Sequence, residues 1–455
     1  MPPSPRYNIL GKLKRNETMK KTALILAIIL VIIFTVSCFC ACKSETSEYV
    51  SFTMKMGKGG TFKILQLTDI HFNNSDVTND KDLSKDYSLR DGWAMTAVTE
   101  IVKEADPDLI MVSGDSIFTL DLISLFTETN DNYAAFQKFA KFMDSFKIPW
   151  LFIFGNHDEE GSLHTRIGSV DGTKKVLGAY LNSDEIKYCL YDDGPEEING
   201  VGNYILNVLN RDGSVNHSLV MFDSGSYLRV TDERTGKMYS DQRKYEYVHD
   251  DQLDWYEAAL DDISRIENKK DPKKTDKVPS IVFQHIPFPE YATVIDSYIE
   301  ALTALGENWE DTIKAGGTER TLQTAVGELT YHGGMYGDGE VCCSYVGTFM
   351  NRKYTGGNEF ERLLSYGSTK YVFCGHDHRN TFSFTYKGIC LTYGMSIDYS
   401  ANGIVPPPVE NQTIYDETPQ RGGTLITLGE DRSVEIKQIP FTRNLYREEL
   451  EKRGK

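Results

Sequence analysis

The sequence predicts an α/β fold whose central sheet carries a metal site at the carboxyl ends of its strands. A strand from Phe62 to Thr68, an amphipathic helix over 91–105 and a buried strand from Leu109 to Ser113 form a β-α-β unit. Five strand-like runs in the chain also end in residue types that bind metals. Ligand sites in open α/β sheets lie at the carboxyl ends of strands, so we expect these residues to converge.

The other predicted elements alternate between helices and strands. They are helices over 132–146, 250–266 and 360–366, strands over 150–154, 203–209, 218–222 and 280–284, and hairpins over 381–393 and 423–439. Residues 159–200 and 291–350 lack clear periodicity, and we interpret them as segments near the mouth of the site. We predict one catalytic domain over 61–442, preceded by a tether over 43–60 and followed by a charged tail over 443–455.

Composition narrows the range of functions. The 455 residues carry a formal net charge of −17. This charge argues against nucleic acid as the main partner, except as a substrate, because phosphate contacts need clustered Lys and Arg. A phosphorylated substrate stays compatible, since bound dications would supply local positive charge. Past residue 42, five irregularly spaced cysteines form neither a disulfide framework nor a zinc ribbon.

The first 42 residues have the layout of an export signal. A basic start at Met19-Lys20-Lys21 precedes an apolar run over 22–36, and small residues then precede Cys38 and Cys42. This layout predicts a lipoprotein lipidated at Cys38 or Cys42, with an ordinary signal or an uncleaved membrane anchor as the alternatives. We therefore expect an exported protein at the extracytoplasmic face of a bacterial membrane, attached through this segment. Met1 and Met19 are both possible starts.

The residues at the strand ends are those that two metal ions would need. They are Asp69 and His71, Gly114-Asp115, Gly155-Asn156-His157-Asp158, His285, and Gly375-His376-Asp377-His378. A lone histidine after a strand would be interpreted as a core residue, but five such endings need a common cause. A carboxylate can span two dications, and imidazole suits Fe, Zn or Mn. Two such ions, roughly 3.5–4 Å apart, clamp a phosphoryl group and activate water.

This series of motifs resembles that of the calcineurin-like metallophosphoesterases over most of residues 61–400. The chain is also similar to the purple-acid-phosphatase-29/Dcr2-like phosphatase group, through Phe62–Asp69, Phe222–Gly225 and His285–Tyr291. The resemblance implies a four-layer α-β-β-α sandwich with two mixed β-sheets. It also implies hydrolysis of phosphate esters by a metal-bridging hydroxide.

The resemblance also assigns roles to individual residues. One ion would be held by Asp69, His71, Asp115 and His378, and the other by Asp115, Asn156, His285 and His376. Asp115 would bridge the two ions, His157 would protonate or orient the leaving oxygen, and Asp158 would orient His157 through a hydrogen bond. Phe118 stands where purple enzymes have a metal-binding tyrosine, so we predict no tyrosinate–iron site. The metals stay open among Fe, Mn and Zn.

The expected substrate is a phosphomonoester, either a small molecule or a phosphoprotein, because the most similar group is phosphatase-like. One alternative is a phosphodiesterase acting on cyclic nucleotides or other diesters. A second alternative, of another class, is a non-catalytic metal-binding surface protein. His332, Asp223 and Glu340 are weaker candidates for the site, and His217 is interpreted as a surface residue.

Overall fold

The computed structural model describes most of the chain beyond the predicted signal. The described residues are 46–73, 83, 86–118, 132–160, 170–232, 234–270, 275–314, 316–400 and 421–454. The predicted signal or anchor over 1–42, with Cys38 and Cys42, lies outside them. Within these ranges, no helix is long and apolar enough to cross a membrane. Glu48–Lys455 form one compact unit, which holds both hydrophobic cores.

The strands and helices are numbered in chain order. The strands are β1 (Phe52–Lys55), β2 (Thr61–Leu67), β3 (Leu109–Ser113), β4 (Trp150–Ile153), β5 (Tyr204–Leu209), β6 (Val215–Met221), β7 (Tyr227–Thr231), β8 (Met238–Tyr245), β9 (Ser280–Phe283), β10 (Arg320–Thr324), β11 (Gly327–Gly333), β12 (Val346–Phe349), β13 (Arg352–Thr355), β14 (Thr369–Cys374), β15 (Ser383–Tyr386), β16 (Ile389–Tyr393), β17 (Gly422–Gly429) and β18 (Val434–Pro440). The α-helices are α1 (Tyr87–Ala105), α2 (Asn132–Asp144), α3 (Val170–Leu181), α4 (Asp250–Lys269), α5 (Glu290–Ala304), α6 (Glu359–Tyr366) and α7 (Leu445–Lys452), and a short π-helix spans Glu310–Lys314.

A five-stranded sheet holds the predicted β-α-β unit. Its order is β18-β17-β2-β3-β4, and β2, β3 and β4 are parallel, with Ile64 opposite Leu109 and Ile110 opposite Trp150. The β17–β18 hairpin is antiparallel to β2 and makes the sheet mixed. The predicted parallel pairing of the first two strands is therefore confirmed.

A nine-stranded sheet lies against the first. Its order is β1-β5-β6-β9-β14-β16-β15-β11-β10. The central strands β6, β9, β14 and β16 are parallel, whereas the strands from β16 to β10 form antiparallel pairs. Because parallel strands share a direction, β9 and β14 end at the same edge of the sheet.

Two hydrophobic cores define the four layers. The first core combines the five-stranded sheet and helices α1 and α2 with the inner face of the nine-stranded sheet, where Phe283 stacks on Phe373. The second lies between the outer face of the nine-stranded sheet and helices α4, α5 and α6. The predicted α-β-β-α sandwich with two mixed sheets is thereby confirmed.

Some segments differ from the prediction. Residues 52–55, expected in the tether, form β1 and pair with β5, with Phe52 opposite Leu206. The stretch 159–200 contains α3, and 291–350 contains α5 and strands β10 to β13. These elements depend on partners far away in the chain, so local periodicity does not show them. The charged tail contains helix α7.

Candidate metal centre

Five loops bring the predicted ligands to one place between the two sheets. The loops follow β2, β3 and β4 of the five-stranded sheet and β9 and β14 of the nine-stranded sheet. They carry Asp69 and His71, Asp115, Asn156 to Asp158, His285, and His376 to His378. The structure therefore brings together all the residues that were predicted from the motifs.

The backbone of these loops is unusual. Asp69, His71, Asp115 and His376 have positive φ angles of 51°, 56°, 51° and 79°. Side chains other than glycine rarely adopt this conformation, and such strain concentrates at functional sites. The loops also approach closely at Gly155, because a Cβ there would lie 2.2 Å from Asp115 Oδ1.

The first ligand cluster joins residues from three loops. The ligand atoms of Asp69, His71, Asp115 and His378 lie within 4.8 Å of one another, and all four residues are buried. His71 Nε2 is 3.5 Å from Asp115 Oδ2, and His378 Nε2 is 3.5 Å from Asp69 Oδ1. Carboxylate and imidazole donors at this spacing suit a transition-metal ion.

The second cluster shares Asp115 with the first. Asp115, His285 and His376 have ligand atoms within 4.8 Å of one another, and His285 Nε2 is 3.2 Å from Asp115 Oδ2. Three buried ligand-type atoms of the residues predicted for the second ion have no hydrogen-bond partner: Asn156 Oδ1 and both ring nitrogens of His376, Nδ1 and Nε2. Leaving buried polar atoms unpaired costs free energy, which a bound cation would recover. The residues present therefore fit a second metal ion, and Asp115 belongs to both ligand clusters.

Asp398, which was not predicted from the sequence, contacts two predicted ligands from behind. Its Oδ1 lies 3.1 Å from His71 Nδ1, and its Oδ2 lies 3.0 Å from His378 Nδ1. Accepting a hydrogen bond from each Nδ1 fixes the ring tautomer and directs each Nε2 towards the carboxylates of the first cluster. Ser113 carbonyl oxygen lies 2.8 Å from His285 Nδ1 and does the same for that ring. Asp398 follows β16 without any motif, so no local signal could have found it.

We expect Asp398→Asn to weaken the first cluster while leaving its ligands intact. Because one carboxylate orients two ligand rings, metal affinity is expected to fall about 10–100-fold. Turnover should return when metal is added in excess. Metal titration of variant and parent measures this, and unchanged affinity would show that Asp398 does not position the rings.

Burial and neighbouring charges shift the pKa values of the second cluster. Burial lowers the pKa of His285, but the Asp115 carboxylate raises it to about 9. Burial and the neighbouring His285 hold the pKa of His376 well below its ordinary value. Burial alone would raise the pKa of Asp115, but His285 and His157 hold it well below the ordinary range. A dication would therefore compete with a proton at His285. It would do so at His71 as well, where burial lowers the pKa but the Asp115 and Asp398 carboxylates raise it well above its ordinary value.

Metal uptake should depend on pH accordingly. With a pKa of about 9, His285 is protonated at pH 7 in the metal-free chain and must lose its proton to bind a metal. Metal affinity is therefore expected to rise with pH up to pH 9, by about tenfold per unit for each proton displaced. Calorimetry in buffers of different ionisation enthalpy should detect the released proton at pH 7. Affinity that stays constant over this range would contradict the assignment of His285 as a ligand.

His157 stands at the open side of the cluster. Its side chain is 19% exposed, and its Nε2 lies 4.0 Å from Asp115 Oδ2. Its Nδ1 is 2.8 Å from Glu160 Oε2. Burial lowers its pKa, but Asp115 and Glu160 outweigh this and raise it. Phe118 occupies the position at which purple enzymes have a metal-binding tyrosine. The centroid of its ring lies 5.0 Å from that of the His157 ring.

The predicted role of Asp158 is corrected by the structure, which gives that role to Glu160. Asp158 is buried and turns back onto the loops. Its carboxylate accepts backbone N–H bonds at 2.7–3.2 Å from Gly155, Asp115, Ser116 and Ile117. Burial and the nearby Asp115 raise its pKa to about 7. Asp158 therefore holds the loops after β3 and β4 together.

Glu160 also links His157 to the second cluster. Its Oε1 accepts a hydrogen bond of 3.0 Å from the Tyr227 hydroxyl, and Tyr227 in turn accepts one of 3.0 Å from Asn156 Nδ2. The Nδ2 of Asn156 thus has a partner, whereas its Oδ1 is buried without one. The chain of contacts runs from His157 through Glu160 and Tyr227 to a predicted metal ligand.

Asp377, which lies between two predicted ligands in the sequence, is outside both ligand clusters, and so are the weaker candidates Asp223, His332 and Glu340. Asp377 accepts a hydrogen bond of 2.5 Å from Tyr393, and Asp223 pairs with Lys174 Nζ at 2.7 Å. His332 lies 2.9 Å from Glu319 Oε2. The interpretation of His217 as a surface residue is wrong, because it is buried in β6, and burial lowers its pKa to about 4.

Comparisons with known proteins identify the family. Residues 62–380 match the family model described as calcineurin-like phosphoesterase. "Probable inactive purple acid phosphatase 14" from Arabidopsis thaliana is 27% identical over 81% of this chain and 78% of its own length. "Phosphatase DCR2" from Saccharomyces cerevisiae is 26% identical over 74% of this chain and 48% of its own length.

The chain also has a likeness among solved structures. A dimetal phosphatase from Danio rerio aligns over 84% of this chain and 99% of its own, with 12% identity and a TM-score of 0.38. The family model covers well over half of the chain. The matched range contains the seven predicted ligands and His157: Asp69, His71, Asp115, Asn156, His157, His285, His376 and His378. The chain belongs to the calcineurin-like phosphoesterase family.

Proposed function

We propose that the protein hydrolyses phosphate esters, with phosphomonoesters preferred, at a centre of two metal ions. The observation that carries this proposal is the pair of buried ligand clusters sharing Asp115, whose second cluster holds unpaired ligand-type atoms. A folded chain gains nothing from three buried polar atoms without partners unless a ligand satisfies them. Membership of the phosphoesterase family supports the same chemistry.

The residues that would hold the ions follow from the geometry. Asp69, His71, Asp115 and His378 fit one ion, and Asp115, Asn156, His285 and His376 fit the other. Imidazole and carboxylate donors suit Fe, Mn or Zn. When bound, the ions would supply positive charge that polarises the phosphoryl group and acidifies a water molecule.

His157 is the residue we propose as general acid. Glu160 accepts its Nδ1–H, so its Nε2 faces Asp115 and the open side of the cluster. The two carboxylates raise its pKa, which favours a proton at Nε2 for donation to the leaving oxygen. Its partial exposure lets a substrate reach that atom.

We expect His157→Ala to keep its metal and to lose rate. The loss should be about 10²–10⁴-fold for poor leaving groups, because these need the proton, and much smaller for p-nitrophenol. Glu160→Gln, which keeps the shape of the side chain, should give a smaller loss with the same dependence on leaving group. Metal analysis of both variants is the control, since a fall in metal content would make His157 a ligand instead.

Three of the relatives found are named probable inactive phosphatases and one is named a phosphatase without that qualification, so activity itself needs a test. We propose hydrolysis of p-nitrophenyl phosphate and of its bis ester, side by side, with Mn, Fe or Zn added singly. Faster turnover of the monoester supports the phosphatase. Faster turnover of the bis ester would move the assignment to a phosphodiesterase, and bound metal without turnover of either would favour a metal-binding surface protein.

A further inference from the structure

Two β-hairpins project beside the metal centre, outside both main sheets. They are β7–β8, spanning Tyr227–Tyr245, and β12–β13, spanning Val346–Thr355, and each forms its own two-stranded sheet. We call them the paired hairpins because they touch. The N–H of Tyr345, just before β12, donates a 3.0 Å hydrogen bond to the Tyr245 carbonyl. Lys244 Nζ lies 5.2 Å from the centroid of the Phe349 ring.

The base of the paired hairpins lies against the predicted ligands. Tyr227 hydroxyl accepts a hydrogen bond of 3.0 Å from Asn156 Nδ2. The Tyr245 ring meets the His376 ring edge-on, with centroids 4.3 Å apart. A molecule held on the paired hairpins would therefore lie next to the metal centre.

The charge of the paired hairpins is opposite to that of the chain. The two segments contain seven Lys or Arg residues and three Asp or Glu residues, whereas the whole chain carries a net charge of −17. Arg234, Lys237, Arg243 and Lys353 are exposed. A local excess of cations on an acidic protein indicates an anionic partner.

Apolar side chains stand among these cations. Met238, Val346 and Met350 are 61%, 58% and 38% exposed, and they make up three of the four large hydrophobic residues exposed within the described ranges. A nucleic acid is bound by cations and stacked aromatic rings. Exposed aliphatic side chains beside Lys and Arg instead suit the boundary between headgroups and acyl chains in a bilayer.

We propose that the paired hairpins dock onto an anionic lipid surface. Lys and Arg would bind the anionic headgroups while Met238, Val346 and Met350 enter the boundary region. Docking would bring phosphate esters at that surface to the metal centre, and this last step rests on the proposed function. Binding itself does not depend on catalysis.

Vesicle flotation tests the docking with Glu48–Lys455, which form one compact unit containing both cores and lack the predicted anchor. The vesicles contain phosphatidylcholine alone or with added phosphatidylglycerol. We expect binding only to the anionic vesicles, reversed by high salt. Equal binding to both kinds of vesicle, or binding to neither, would overturn the proposal.

Charge reversal supplies a matched comparison. Changing Arg234, Lys237, Arg243 and Lys353 to Glu should lower vesicle binding at least tenfold. Each Lys or Arg near an anionic surface strengthens binding roughly fivefold, and the substitution replaces that attraction with repulsion. A control set with the same change in net charge uses exposed lysines elsewhere: Lys55, Lys58, Lys103 and Lys437. The control should keep its binding, and an equal loss in both sets would overturn the assignment to the hairpins.

Further measurements separate the lipid surface from other partners and from catalysis. The double variant Met238→Asp, Met350→Asp should also lower vesicle binding at least tenfold. Unchanged vesicle binding by this variant would overturn the lipid assignment. Tighter binding of the parent protein to single-stranded DNA than to anionic vesicles would overturn it as well. Metal-free protein should still bind vesicles. Turnover of p-nitrophenyl phosphate should be unchanged in the charge-reversal set. Vesicle binding without any turnover would refute the proposed function and leave the docking intact.

Discussion

Asp115→Asn is expected to abolish turnover and to lower the metal content of both clusters. Asp115 belongs to both ligand clusters, and its Oδ2 lies 3.5 Å from His71 Nε2 and 3.2 Å from His285 Nε2. An amide has the same shape as the carboxylate, but it carries no charge to share between two cations. Turnover should fall by more than about 10³-fold, because loss of a single electrostatic donor already costs 10²–10³.

Metal analysis and turnover of the same sample measure this effect. Asp377→Asn is the matched control, because Asp377 is also buried and lies between two predicted ligands in sequence. Burial raises the pKa of Asp377 to about 7, so a neutral amide is a fair substitute for its protonated form. The control should keep both metals. Wild-type turnover in Asp115→Asn would remove the bridging role from that residue.

Asp158→Ala is expected to destabilise the fold more than it affects the chemistry. The substitution leaves four buried N–H groups, from Gly155, Asp115, Ser116 and Ile117, without their acceptor. An unsatisfied buried donor costs about 1–3 kcal/mol, so we expect the free energy of unfolding to fall by at least about 3 kcal/mol. Denaturant unfolding of the metal-free proteins measures the difference without any contribution from bound ions.

Asp158→Asn separates the structural role from a catalytic one. Its amide keeps one acceptor oxygen for the four donors, so its stability should lie between those of the parent and Asp158→Ala. If Asp158→Ala instead kept its stability and lost only rate, Asp158 would act through His157, as predicted from the sequence.

The predicted ligands could be found in the sequence because each one ends a strand. Periodicity located the strands, and the parallel order of β2, β3 and β4 placed Asp69, Asp115 and Asn156 at one end. The residues that orient the ligands could not be found in this way. Asp398 contacts His71 across 327 positions of the chain, and no local pattern marks such a contact.

The error at Asp158 has a local cause. The sequence places Asp158 directly after His157, but the loop after β4 turns the Asp158 carboxylate towards backbone N–H groups and brings Glu160 to His157. Helix α3 was not predicted, because its composition is unfavourable for a helix. It contains Gly172 and Gly178, which are poor helix formers, and Gly178 is needed because a Cβ would lie 2.5 Å from Asp193 Oδ1.

The most direct test of the account is a titration of the metal-free protein with Mn, Fe or Zn, in which bound ions and turnover of p-nitrophenyl phosphate are followed together. The two clusters predict two ions per chain, with turnover appearing as both clusters fill. Turnover by the metal-free protein would contradict the account. Two bound ions without turnover of p-nitrophenyl phosphate or its bis ester would contradict it as well, and would leave a protein that binds metal without catalysis.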